Sequence, residues 1–221
     1  MIGPWLNSAA IAIGGLAGNA LGHHIPERLR AAMPFYAGLC SMGLGIVPIA
    51  KVQNVGAMGL AFLAGALAGE LLQLEAGIER LVASKVKDAG NIVVPALLLF
   101  CVSGTGIFGA LREGMTGDPS ILIAKAFLDL ITAAIFATQA GIAIAFIAIP
   151  QWTVQMSLAA GATFLLPLTT PAMVADFSAV GGMVMVATGF RICGIAKIPV
   201  ANLLPAMVFA MPVSALWTRF V

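Results

Sequence analysis

LITAAIFATQAGIAIAFIAIPQWTVQMSLAAGATFLLPLTTPAMVA, residues 130–175, contains no Asp, Glu, Lys or Arg. An α-helix needs about 17 to 25 apolar residues, rising about 1.5 Å each, to cross a hydrocarbon layer roughly 30 Å thick. The stretch is therefore too long for one crossing and must reverse within itself. Pro150-Gln151-Trp152 marks the place, because proline interrupts a helical ladder and an indole beside it suits the headgroup level. Two crossings meeting at a turn make this a membrane bundle rather than a soluble core.

Working outward, the same pattern fills the chain. Of 221 residues, 61% are hydrophobic and 9% charged, against roughly 25% charged in a soluble domain. The fold class is an all-α integral membrane protein forming one transmembrane domain over 1–221, with about eight spans near 4–22, 33–50, 55–74, 90–111, 120–149, 152–168, 174–193 and 199–219. The fourth and fifth are expected to be broken. Trp5, Trp152 and Trp217 fall at span ends, where interfacial aromatics belong. The opening segment lacks a basic n-region and is read as a retained first span. Cys40, Cys101 and Cys193 lie in apolar runs and are expected to be reduced and structural. A net charge of +2 with no polybasic run excludes a nucleic-acid partner.

With eight spans, Arg28, Arg30, Arg80, Lys85, Lys87 and Lys197 share one face and Lys51, Arg112 and Arg219 the other. The positive-inside rule puts the first face in the cytoplasm and both termini outside. LQLEAGIERLVASKVKDAG, residues 72–90, is charged and amphipathic at helical spacing; it suits either a helix lying on the cytoplasmic surface or a solvated connector.

Ile49-Ala50-Lys51-Val52 matches Ile195-Ala196-Lys197-Ile198 at an offset of 195 − 49 = 146, with Gly43 and Gly189 aligned upstream. Trp5 followed by Asn7 likewise matches Trp152 followed by Gln155. Repeat one, about 4–74, therefore corresponds to repeat two, about 152–219, on either side of central helices at about 90–149. On an eight-span count the copies run in opposite senses, the arrangement that underlies alternating access in many transporters. Small residues recur every fourth position at Ala10, Gly14, Gly18 and Gly22 and at Ala57, Ala61, Gly65 and Gly69. Such stripes give close helix packing, a sliding surface or a homodimer face; a homo-oligomer is expected, a dimer first.

Ionisable groups at membrane depth are costly and mark candidate sites. Lys125 and Asp129 stand one helical turn apart and can form an ion pair; alternatively Lys125 snorkels to the interface and Asp129 neutralises it. Ser103-Gly104-Thr105-Gly106 and Thr138-Gln139-Ala140-Gly141 place polar side chains beside glycines inside apolar runs. Each can be an unwound segment offering backbone groups to an ion or solute, or a packing kink. Asn7, Gln155, Asn202 and Glu70 are further polar positions at span ends, and Arg191 lies near another. The candidate binding set is therefore Asn7, Ser103, Thr105, Asp129, Thr138, Gln139, Gln155 and Asn202. His23-His24 reads as a surface loop, and no metal or cofactor is expected. No catalytic motif is present, so an enzyme is not expected.

Asn7 with Gly14-Gly15, IPERLR (25–30), AGE (68–70), LLFC (98–101), FGAL (108–111), GDPSILIAKAFLD (117–129), AIP (148–150) with Gln155, AVGG (179–182) and GIAKIPVANLLPA (194–206) follow one another along the whole chain. Together they resemble the domain of unknown function 554 family, the YqgA-like bacterial inner-membrane proteins. The resemblance implies an inner-membrane location and leaves the activity open; members are sometimes described as possible sodium channels or pumps. Thr138-Gln139-Ala140-Gly141-Ile142-Ala143 and Arg191 depart from the pattern expected there. The resulting expectation is a small transporter or channel for an ion or small polar solute. Its rival is a non-transporting scaffold or regulatory subunit.

Overall fold

The computed structural model describes residues 1–85 and 90–220; Lys87, one of the charges used above for orientation, lies outside them. Among the described residues there are helices and turns but no strands. In chain order the α-helices are α1 (Gly3–Leu21), α2 (Glu27–Ile49), α3 (Val55–Leu72), α4 (Leu74–Lys85), α5 (Gly90–Cys101), α6 (Gly104–Thr116), α7 (Ser120–Ala140), α8 (Ala143–Phe146), α9 (Ala148–Thr163), α10 (Pro171–Ile192) and α11 (Leu204–Phe220). A 3₁₀ turn, Val200–Leu203, leads into α11.

Seven segments are long and apolar enough to cross a membrane: Glu27–Ile49, Val55–Leu72, Ile92–Thr116, Ser120–Ala140, Ala143–Thr163, Pro171–Ile192 and Val200–Phe220. The difference from the expected eight is α1, which has the length at 19 residues but carries Asn7, Ser8 and Asn19 among its apolar residues.

The fourth span breaks where Ser103 predicted it. α5 stops at Cys101, and Ser103 adopts an extended conformation and caps α6, its Oγ accepting from Gly106 N at 3.1 Å. The run expected as one broken fifth span is instead divided between two. α7 ends at Ala140, and Gly141 turns the chain with φ 64 and ψ −151. That backbone conformation is open to glycine and hostile to side chains, so the reversal falls at Gly141 rather than at Pro150-Gln151-Trp152. Pro150 lies in the first turn of α9, where a missing N–H costs little. The charged segment after α3 forms the short helix α4, set off by Gln73 at φ 47.

Glycine fixes how the helices pair. A Cβ at Gly14 would lie 2.2 Å from the Leu130 carbonyl oxygen, and one at Gly18 would lie 2.0 Å from that of Ala134. The stripe on α1 therefore presses backbone to backbone on α7, and the two run parallel. The stripe on α3 does the same on α11 in the antiparallel sense: a Cβ at Gly65 would meet Ala206 Cα at 2.1 Å and one at Gly69 the Asn202 oxygen at 1.8 Å. On α2 and α10, Gly45 faces Gly182 and Gly38 faces Gly189, again antiparallel. α1 also runs antiparallel to α8 and α9, with Gly15 on Ala145 of α8 and Trp5 against Trp152 of α9 at 4.8 Å between ring centroids. Without a hydrophobic drive between helices in lipid, such close approaches supply the contact energy.

Candidate functional site

Lys125 and Asp129 project from one face of α7 into the centre of this packing. Lys125 Nζ lies 2.5 Å from Asp129 Oδ2, and both residues are buried. α1 brings Asn7 to the same oxygen, its Nδ2 donating at 2.7 Å. From α9, one turn apart, Gln151 and Gln155 donate through Nε2 to Asn7 Oδ1 at 2.7 and 2.8 Å. Ser8 Oγ lies 2.6 Å from Gln151 Oε1 and 2.7 Å from the Pro4 carbonyl, and its single proton serves one at a time. Five side chains from three helices thus converge behind the carboxylate. Gly106, in the first turn of α6, leaves room for them: a Cβ there would lie 2.9 Å from Lys125 Cε and 3.0 Å from Gln155 Nε2.

In front of the pair is a cavity of about 30 Å³ lined by Lys125 and Asp129, by the hydroxyl residues Ser41, Ser103, Thr105, Thr132 and Thr188, and by apolar Ala37, Leu99, Leu128 and Ile192. Thr132 and Thr188 donate their hydroxyl protons back to the Leu128 and Val184 carbonyls at 2.7 and 2.8 Å. Ser41 and Thr105 share a hydrogen bond at 2.9 Å. Ser103, Thr132 and Thr188 also border a second cavity of about 700 Å³, whose lining runs out past Pro34 and Arg191 to Glu79 and Arg80 on α4. The break between α5 and α6 is what sets Ser103 at the junction. This larger cavity, a vestibule, thus extends from the α4 face to residues that also wall the small cavity beside the buried pair.

Three other carboxylates within the bundle are tied to backbone amides of distant segments. Glu113 accepts from Ile2 N at 2.6 Å and Gly3 N at 3.1 Å, where α1 begins. Asp176 accepts from Gln53 N at 3.0 Å and Asn54 N at 2.8 Å, just before α3, and also from Asn54 Nδ2 and Ser214 Oγ. Glu75 accepts from Ala201 N at 3.0 Å before α11 and pairs with Arg191 at 2.6 Å. Helix starts carry orphan N–H groups and a partial positive charge that a carboxylate satisfies. Asp129 stands mid-helix, with no such role.

Of the residues singled out by sequence, Asn7, Ser103, Thr105, Lys125, Asp129 and Gln155 come together here. Thr138 and Gln139 do not. Thr138 packs on Gly22 and donates to the Ile135 carbonyl, and Gln139 is exposed at the end of α7; what looked like a mid-membrane break is the turn at Gly141. Asn202 belongs to the Glu75–Arg191 cluster, its Oδ1 accepting from Glu75 N at 2.9 Å. Sequence reading passed over Ser8, Gln151, Ser41, Thr132 and Thr188. Thr132 lies three residues beyond Asp129 and was available as a helical neighbour; Gln151 was hidden by its assignment to a turn.

Seven apolar spans around a buried polar cluster define a multi-pass helical membrane protein. The chain belongs to the family described as Protein of unknown function (DUF554), whose model matches residues 2–215. It is 52% identical over 232 aligned positions to the "Uncharacterized protein YqgA" of Escherichia coli (strain K12), covering 100% of this chain and 99% of that protein. It is also 27% identical over 214 positions to the "Uncharacterized membrane protein YdfK" of Bacillus subtilis (strain 168), covering 94% and 93%. No solved structure gives a significant match.

Proposed function

We propose that this protein is a small transporter or channel of the bacterial inner membrane that moves an ion or small polar solute, with Lys125 and Asp129 at its site. One observation carries the reading: a buried ion pair borders a small cavity lined in part by hydroxyls, next to a larger vestibule that reaches α4. A charge pair held at membrane depth beside such a space is costly to keep unless it is used. The vestibule lies on the side of the loops carrying Arg28, Arg30, Arg80 and Lys197, so by the positive-inside rule the conformation is open to the cytoplasm.

Alternating access between inverted repeats is part of this reading. α1, α2 and α3 each cross α9, α10 and α11 antiparallel, in the pairing that the offset of 146 in the sequence leads one to expect. The broken helix α5–α6 gives a hinge at Ser103. The scaffold alternative loses its motive, because the small-residue stripes are used within the chain, on α7 and α11.

The test is solute-evoked current and isotope uptake in proteoliposomes, across inorganic ions and small polar metabolites. Wild type and Gln139→Ala are expected to respond alike to at least one solute, and Asp129→Asn to fall at least tenfold. Equal responses in wild type and Asp129→Asn would overturn the site. No response to any solute would overturn transport.

A further inference from the structure

We propose that Asp129 is a proton-binding site, reached by water through the α4-side vestibule, and that loading it breaks the ion pair with Lys125. The inference rests on the transport reading and deepens it by naming the coupling ion.

The first observation is unused valence. The donors to Asp129 among the described residues, Lys125 Nζ and Asn7 Nδ2, both end on Oδ2, and none of those residues donates to Oδ1. Lys125 has three N–H donors, and among the described residues its ammonium has one hydrogen-bond partner, the carboxylate, with the Phe100 ring 6.0 Å away to the centroid. A pair kept for structure alone is expected to be saturated, since half-satisfied buried polar groups are costly. The spare oxygen belongs to a residue that walls the small cavity.

The second observation is the size and lining of that cavity. About 30 Å³ is room for one or two waters, not for a hydrated metal ion or an organic solute. Thr132 and Thr188 have given their protons to carbonyls, so their oxygens accept from water. Water held there bridges the vestibule to the carboxylate.

The third observation is that Asp129 is the one carboxylate among the described residues lining the cavity. The groups facing Asp129 are Asn7 from α1, Ser41 from α2, Ser103, Thr105 and Gln155 from the broken helix and α9, and Thr188 from α10. None of these titrates. Lys125 itself and Cys101 on α5 are the ionisable side chains beside it. Glu79, Arg80 and Arg191 stand at the vestibule.

In the step itself, a hydronium in the cavity gives one proton to Asp129 Oδ1. An O–H bond forms, water is left behind and the carboxylate becomes a neutral acid. Lys125 keeps its proton and its charge but loses its counter-charge. It is then free to turn to the hydroxyls at Ser103 and Thr132, or to a negatively charged group of a solute beside them. Returning the proton to the opposite face re-forms the pair.

Infrared difference spectroscopy of the full-length protein in lipid, titrated with acid and no added solute, tests this directly. The expected result is a protonated-carboxyl band that grows with acidification and is lost in Asp129→Asn, while the Lys125 Nζ resonance in ¹⁵N-lysine protein moves over the same pH range. If Asp129→Asn fails to fold with Lys125 unpaired, Lys125→Met with Asp129→Asn serves for the subtraction. A band unchanged by either substitution, or a Lys125 signal that ignores it, overturns the proton site. Because no solute is added, that failure leaves the flux result standing, and a failed flux assay leaves this one standing.

Discussion

Asp176 and Asp129 are buried to nearly the same degree, 1% and 6% exposed, yet they are built differently. Asp176 uses both oxygens on four donors, two of them backbone amides ahead of α3. Asp129 concentrates two donors on one oxygen, leaves the other without a donor among the described residues, and borders a cavity. Burial alone does not separate a structural carboxylate from a working one. Saturation does: the first has nothing left to bind with, and the second does.

That contrast can be broken from either side. Asp176→Ala has the largest effect on the fold, because several donors lose their acceptor at about 1–3 kcal/mol for each that stays dry; the melting temperature in detergent should drop steeply. Lys125→Ala strands a buried carboxylate and should cost about 3–5 kcal/mol, whereas Lys125→Met with Asp129→Asn removes both charges and should melt close to wild type. A double variant as unstable as the single one would mean that the pair is structural. Gly18→Ala pushes a methyl into the Ala134 carbonyl, and overpacking of this kind costs about 1–3 kcal/mol, readable as a lower melting temperature with the site chemistry intact. Ser103→Ala removes the cap of α6 at about 1 kcal/mol and should show as faster hydrogen exchange in the first turn of that helix.

The smallest effect belongs to Asp118, in the turn before α7. The backbone amide and side chain of Ser120 hold its carboxyl below the usual carboxylate range, with Arg112 adding to the effect. A depressed value means that its contribution is present above the ordinary carboxylate range and is lost as the pH falls through the folded value. The site is half exposed and screened. Asp118→Asn should therefore trim only the acid limb of the melting profile, and less so in high salt.

Much of this was written in the sequence. Ser103-Gly104-Thr105-Gly106 marked the break in the fourth span, as polar side chains beside glycines in an apolar run, but left an unwound segment and a packing kink both open; the capping role of Ser103 appears only in the structure. The stripes on α1 and α3 announced close packing, although not that their partners would be α7 and α11, since a stripe names a face and not what covers it. Gly141 was misread because its positive φ cannot be seen in a residue letter, while Pro150 beside Trp152 looked like the better turn. Gln139 was drawn into the site by polarity alone, and the shift of the turn carried it to an exposed end. Ser41, Thr132 and Thr188 were missed because lone hydroxyls in apolar helices usually bond their own backbone. Thr132 and Thr188 do so here, and only the arrangement in space shows that their oxygens share a cavity.

The most direct test of the central claim is flux per folded molecule in proteoliposomes, compared between Asp129→Asn and Asp176→Asn, with the folded fraction measured for each. The account predicts that the folded fraction of Asp129→Asn loses at least tenfold in flux per molecule, while Asp176→Asn yields less folded protein that transports at the wild-type rate. Wild-type flux per folded molecule in Asp129→Asn would contradict it.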